Sequence, residues 1–264
     1  MEKITLILGA GESGVGAALL AQRLGKRVFV SDAGIPNERF TNELFEAGIE
    51  YETGGHSPEK INDPAIVIKS PGIPDTAPLI QDFIEAGIEV ISEIEYAYRY
   101  LPEGNRIVGI TGSNGKTTTT MLTHHLLKAG SINVEVGGNI GNSFARLVLD
   151  ALDQQEAKLF VLELSSFQLD GITSFRPEIA TVLNITPDHL DRYEYKLENY
   201  ADSKLRIAMN QREEDTFLVY HNDEAIVNAI ERASISVTPT IIDDAQIGKG
   251  GKIRRLESER SFSK

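Results

Sequence analysis

The 264 residues leave room for two ordinary cores, and 41% hydrophobic with 25% charged residues exclude a disordered or fibrous chain. A formal net charge of -13 argues against a nucleic-acid partner, which needs a basic face to displace phosphate counterions, so any anionic ligand must be held by local groups. The absence of cysteine excludes disulfides, thiolate nucleophiles and Cys-ligated metals and fits a reducing, cytoplasmic setting.

The apolar run before Gly9 is too short for a signal-peptide core or a membrane span, so no membrane partner is expected. Strand-like runs then recur at Ile4 to Leu8, Val28 to Val30, Ala65 to Ile68 and Ile88 to Ile91, with helix-like stretches between them. That alternation predicts βαβ units and a parallel sheet. Ser92 caps a helix running to Tyr100, and Pro102-Glu103-Gly104-Asn105 breaks it as a linker. A second series follows at Ile107 to Ile110, Leu159 to Leu164, Ile179 to Asn184 and Thr216 to Tyr220. The expected class is therefore α/β: a Rossmann-like domain over 1–102, then a P-loop NTPase-like central domain over 103–244, incomplete at its C-terminal end. From Ala245 the composition turns to glycine and basic residues with little to bury, and 245–264 reads as a poorly ordered tail.

Two glycine loops carry the chemistry. Strand Ile4 to Leu8 enters Gly9-Ala10-Gly11-Glu12-Ser13-Gly14 and a helix, and Asp32 closes the next strand, which is a dinucleotide-type fingerprint in its proper setting. Its glycines let the backbone approach a phosphate at a helix N-terminus, and Asp32 is placed to accept from a ribose hydroxyl or a base N–H. Simple closure of a strand-helix turn is the alternative reading, and the fingerprint alone does not select NAD. Ser70-Pro71-Gly72-Ile73-Pro74 ends another strand at the same expected edge and reads equally as a ligand loop or a proline turn.

Strand Ile107 to Ile110 leads into Thr111-Gly112-Ser113-Asn114-Gly115-Lys116-Thr117-Thr118 and a helix through Leu122, Leu126 and Leu127, a P-loop with its first glycine displaced. There the loop N–H groups surround a β-phosphate, Lys116 neutralises β- and γ-oxygens, and Thr117 offers its hydroxyl to Mg²⁺. Glu163 sits in an apolar strand and reads as a magnesium ligand or as a carboxylate at the solvent end of its strand. The polar loop Asn184 to Arg192 includes His189, which reads as a metal ligand, a phosphate partner or an exposed loop histidine. Lys204 lies in a helix from Leu197 to Met209, four residues after Tyr200, and spacing alone gives it only the reading of a solvated lysine.

The segment GITGSNGKTTTT, displaced glycine included, resembles the phosphate loop of the Mur ligases. GGNIG at Gly137 to Gly141, LELSSFQLD at Leu162 to Asp170 and DHLDRY at Asp188 to Tyr193 look like the D-glutamate-adding branch of that family. The resemblance covers Met1 to about Asp244. It implies ATP held by Gly112 to Thr118 and UDP-N-acetylmuramoyl-L-alanine held by Gly11, Glu12, Ser13, Gly14, Asp32, Ser70, Gly72, Asn139 and Ser165. It also implies two Mg²⁺ sites served by Thr117, Glu163, His189 and Lys204, with Lys204 carbamylated, and catalytic roles for Lys116, His189 and Lys204. D-glutamate is the second substrate, bound in the family by a third domain not expected within this sequence, and a monomer is expected.

Overall fold

The computed structural model describes residues 3–242 except His221, so the tail assigned to 245–264 lies outside the described residues. In the first half, β1 (Thr5–Leu8), β2 (Val28–Asp32), β3 (Glu50–Thr53), β4 (Ile66–Lys69) and β5 (Val90–Ser92) alternate with α1 (Glu12–Arg23), α2 (Glu38–Glu46), α3 (Pro58–Ile61), α4 (Pro78–Glu85) and α5 (Glu93–Arg99). The strands form one parallel sheet in the order β3-β2-β1-β4-β5. β1 is buried on both faces, as a central parallel strand flanked by helices must be. The sequence pattern does not reveal β3, because Glu50-Tyr51-Glu52-Thr53 is a polar edge strand with no apolar run.

The chain crosses to a second parallel sheet, ordered β11-β10-β9-β6-β8-β7 among the described residues. Its strands are β6 (Arg106–Thr111), β7 (Val134–Gly138), β8 (Leu159–Glu163), β9 (Ile179–Val182), β10 (Thr216–Tyr220) and β11 (Pro239–Ile242). The helices between them are α6 (Lys116–Ala129), α7 (Phe144–Ala151), α8 (Ser166–Asp170), α9 (Leu197–Leu205) and α10 (Glu224–Arg232). β7 escapes periodicity because it ends in two glycines, and β11 is a short edge strand opened by proline. The helix predicted to reach Met209 gives way after Leu205 to a tight turn over Arg206–Ala208. No helix of the described residues is long and apolar enough to cross a membrane.

The two sheets share one continuous apolar core, in which Ile7, Val15, Leu20 and Ile94 from the first half join Phe144, Leu147, Phe160 and Phe175 from the second. At this junction the Ser143 side chain occupies the space a Cβ at Gly16 would need, which draws α7 tightly onto α1. Arg146 of α7 donates through Nε to Glu12 at 2.7 Å and makes a two-armed ion pair with Glu43 of α2, including Nη2 to Oε2 at 2.7 Å. Glu95 of α5 accepts from the backbone N–H groups of Thr173, Ser174 and Phe175 at 2.8–2.9 Å. The glycine loops at the carboxyl ends of β1 and β6 are therefore carried on halves locked together by packing and by charge.

Candidate active site

β6 lies between β8 and β9, so its carboxyl end is the point where the strand order reverses and a crevice opens. The P-loop occupies it. Gly115 stands at the N-terminus of α6 with φ +81°, a left-handed conformation natural to glycine, and the turn leaves the first N–H groups of the helix free for an anion. Lys116 folds back over the loop, donating to Gly112 O at 2.9 Å and Ser113 O at 3.0 Å. Thr118 is exposed in the first turn of the helix.

Lys204 comes from α9 and donates to the same Gly112 carbonyl at 2.9 Å. It is only 1% exposed, and its Nζ sits 4.6 Å from the centre of the Tyr200 ring. Burial, and secondarily the charge of Lys116, lower its pKa to about 7 against the opposing pull of Asp188 and Asp170. The solvated-lysine reading is thus corrected: a residue 92 positions from the loop is buried against it, and sequence spacing carries no signal for that.

Beside the loop, Thr117 Oγ1 donates to Glu163 Oε2 at 2.7 Å, and Asn139 Nδ2 donates to Oε1 at 2.9 Å. Glu163 is the last residue of β8 but is only 2% exposed, so the carboxylate is buried and hydrogen-bonded rather than at a solvent end. Asn139 is fixed further by its own N–H on Glu163 O at 2.8 Å. The loop after β9 clasps the P-loop through groups that pattern reading passes over. Asn184 Oδ1 accepts from Asn114 N at 2.8 Å, its Nδ2 donates to Asn114 O at 3.0 Å, and Thr186 N donates to Ser113 Oγ at 2.9 Å. An asparagine and a threonine directly after a strand opposite a P-loop are the only local hint.

His189 makes no hydrogen bond to this cluster among the described residues. Its side chain is 57% exposed, 3.6 Å from Asp188 and tilted against the Phe167 ring at 5.2 Å. Among the described residues no three His, Cys, Asp or Glu side chains are grouped as a ready metal cage. The same loop reaches the first half through Arg192, which lies over Phe167 and donates to Gly72 O at 3.1 Å.

At the other glycine loop, Ser70 Oγ fills the space beside Gly9, so the loops after β1 and β4 meet as expected. Gly11 and Ser13 are half-buried at the start of α1, and Gly14 packs against the Gly9 carbonyl with no room for a side chain. Two expected ligand groups also hold internal partners. Asp32 accepts from Ala10 N at 2.6 Å and Gly34 N at 2.8 Å, while Glu12 faces α7, accepting from Ser143 N at 3.1 Å as well as from Arg146. Ser165 caps α8 in a reciprocal arrangement with Gln168.

The family model of the Mur ligase middle domain matches residues 110–263, and that of the Mur ligase MurD-like N-terminal domain matches residues 3–92. The chain belongs to the Mur ligase family. This Mur ligase chain is 53% identical to the UDP-N-acetylmuramoylalanine--D-glutamate ligase of Christiangramia forsetii, over 88% of the chain and 51% of that protein. To the enzyme of the same name from Cytophaga hutchinsonii it is 51% identical, over 86% and 49%, and to that from Bacteroides thetaiotaomicron 47%, over 97% and 56%. The chain thus spans about half the length of these curated relatives. The middle-domain match runs beyond Asp244, where the motifs alone place the end of the resemblance, because the glycine-rich basic stretch there offers no recognisable motif. Among solved structures, the fold resembles the UDP-N-acetylmuramate:L-alanyl-gamma-D-glutamyl-meso-diaminopimelate ligase of Neisseria meningitides, with TM-score 0.62 and 16% identity over 90% of this chain and 78% of that one. It also resembles the UDP-N-acetylmuramate-alanine ligase MurC of Thermotoga maritima, with TM-score 0.54 and 24% identity over 92% and 53%.

Proposed function

We propose that this chain carries the uridine-nucleotide and ATP sites of a ligase that joins D-glutamate to UDP-N-acetylmuramoyl-L-alanine at the expense of ATP. The setting is cytoplasmic peptidoglycan precursor synthesis, and the protein acts as a monomer. Residues 1–102 hold the uridine nucleotide and residues 103–244 the ATP, while D-glutamate is held by the part of the whole protein beyond this half. The observation that carries the reading is the convergence of Lys116 and Lys204 on the Gly112 carbonyl, beside the Thr117–Glu163–Asn139 chain.

A carboxylate resists attack by an amine because oxide is not a viable leaving group. The alanine carboxylate therefore attacks the γ-phosphorus of ATP, the bond to the β-phosphate oxygen breaks, and ADP leaves. The amine of D-glutamate adds to the acyl-phosphate carbon, loses a proton, and the tetrahedral intermediate expels inorganic phosphate to give the amide. The first step brings two anions together, so charge neutralisation by Lys116 and positioning by the P-loop N–H groups carry most of the acceleration.

The hydroxyl of Thr117 and the buried carboxylate of Glu163 are hard oxygen donors suited to Mg²⁺, with His189 and a modified Lys204 serving a second ion. Bound there, the metal ions would shield the charge of the phosphates. Lys204 is suited to carbamylation because its pKa of about 7 leaves much of the amine neutral. That amine adds to CO₂, releases one proton and becomes a buried anion. Gly11 to Gly14, Asp32, Ser70, Gly72, Asn139 and Ser165 are assigned to the uridine substrate, with Asp32 and Glu12 acting through the backbone they brace.

The test is phosphate release by the whole protein in the presence of both substrates and ATP. Lys116→Ala should abolish it while leaving the melting temperature within a few degrees. Turnover retained by that variant would refute the assignment.

A further inference from the structure

Phosphoryl transfer requires the alanine carboxylate, carried on the uridine substrate, to meet the γ-phosphorus of ATP in line. The two reactants are held by loops from different halves of the chain, so the spacing of those loops bears directly on the rate. Arg192 spans them. It belongs to the single-turn helix Leu190–Tyr193 after β9, and its guanidinium donates through Nη1 to Gly72 O at 3.1 Å and through Nη2 to Pro71 O at 3.4 Å. Among the described residues no other hydrogen bond joins the loop after β4 to the second half.

Both ends of the span are fixed. On the ATP side the guanidinium lies 4.4 Å from the centre of the Phe167 ring of α8, a ring stacked with Tyr193 at 6.2 Å and tilted against His189 at 5.2 Å. Tyr193 donates its hydroxyl to Asp170 at 2.9 Å and meets the Ser203 hydroxyl at 3.2 Å, and Ser203 itself donates to Asp170 at 2.6 Å. Ser203 precedes Lys204 on α9. Two neighbouring residues of one turn are thus pinned to opposite halves, Tyr193 to the helix that carries Lys204 and Arg192 to the loop that carries Gly72. On the uridine side that loop is a firm object, because the buried Lys69 at the end of β4 holds Ile73 O at 3.2 Å and Asp75 at 2.9 Å. A peptide unit is planar, so a grip on the Pro71 carbonyl also sets the direction of the Gly72 N–H, which has no acceptor among the described residues.

We propose that Arg192 is a positioning residue for phosphoryl transfer, setting the distance between the uridine-substrate loop and the ATP loop and acting through those loops rather than on either ligand. The inference rests on the uridine-nucleotide and ATP readings of the two loops. A planar fork suits the role, because it bridges two adjacent carbonyls while lying against a ring, which an ammonium group cannot do.

The test uses the whole protein and reads kcat, KM for ATP, UDP affinity by calorimetry and the melting temperature. Arg192→Met keeps an apolar stem over Phe167 and removes the donors, whereas Arg192→Ala removes both. Each should lower kcat about 100-fold, the cost of a small displacement between reacting groups, while KM for ATP and the Kd for UDP stay within about threefold. The melting temperature should stay within about 3 °C, since a half-exposed tie contributes little to stability. Near-normal kcat in Arg192→Met would overturn the proposal, as would a loss seen only in UDP affinity or only together with a larger fall in melting temperature. No binding of UDP by the unsubstituted protein would refute the uridine reading itself, a result visible before any variant is made.

Discussion

Glu95 offers the sharpest test of how the two halves are held together. It is fully buried on α5, yet one oxygen takes the N–H groups of Thr173, Ser174 and Phe175, and the other takes the Ser174 hydroxyl at 2.6 Å, the Thr173 hydroxyl at 2.8 Å and Arg99 Nε at 2.9 Å. Burial alone would raise its pKa, but this set of donors lowers it from 4.5 to about 2. A carboxyl that becomes that much more acidic on folding stabilises the folded state by about 3 kcal/mol at neutral pH. The contribution is fully present above the unfolded value of 4.5 and is lost as pH falls through the folded value of about 2. Glu95→Gln cannot satisfy the same donors and should cost about 3 kcal/mol at pH 7, read as a lowered urea midpoint by circular dichroism. The gap from wild type should shrink steadily between pH 5 and pH 3. A cost below about 1 kcal/mol at pH 7, or a gap that does not change with pH, would refute the reasoning.

Glu93, two residues earlier, has the opposite sign. Burial, reinforced by the charge of Glu12 and opposed by the Ala145 N–H, raises its pKa to about 8, so its contribution is fully present below 4.5 and lost as pH rises toward 8. Glu93→Gln should therefore be more stable than wild type at pH 8, by on the order of a few kcal/mol, in the same urea assay; equal or lower stability would contradict it. Lys204→Met removes an amine that resists its proton when folded, so the variant should melt higher than wild type at pH 7, while ligase turnover by the whole protein is lost. A lower melting temperature would show that the Gly112 bond outweighs the burial cost. Gly14→Ala drives a Cβ into the Gly9 carbonyl, so it should cost about 1–3 kcal/mol and remove UDP binding, both measurable in one calorimetric series.

What the sequence determines by itself is local. The two glycine loops announce themselves because a phosphate-binding turn between strand and helix needs glycines at set intervals within about eight residues. The lysine and threonine that follow are then positioned by the helix they begin, and the central strands are legible because burial on both faces demands continuous apolar runs. Edge strands β3, β7 and β11 were not legible, since half-exposed or glycine-ended strands carry no such run. The rest was decided by tertiary structure. Lys204 reads as a surface lysine until α9 folds it under Gly112, and the backbone partners of Asp32 and the Arg146 partner of Glu12 are not announced by the glycine motif. Arg192 and Gly72 share no motif until the loops after β9 and β4 meet. Backbone conformation is constrained by neighbours in sequence, whereas the charge state and availability of a side chain depend on desolvation and partners brought from dozens of residues away.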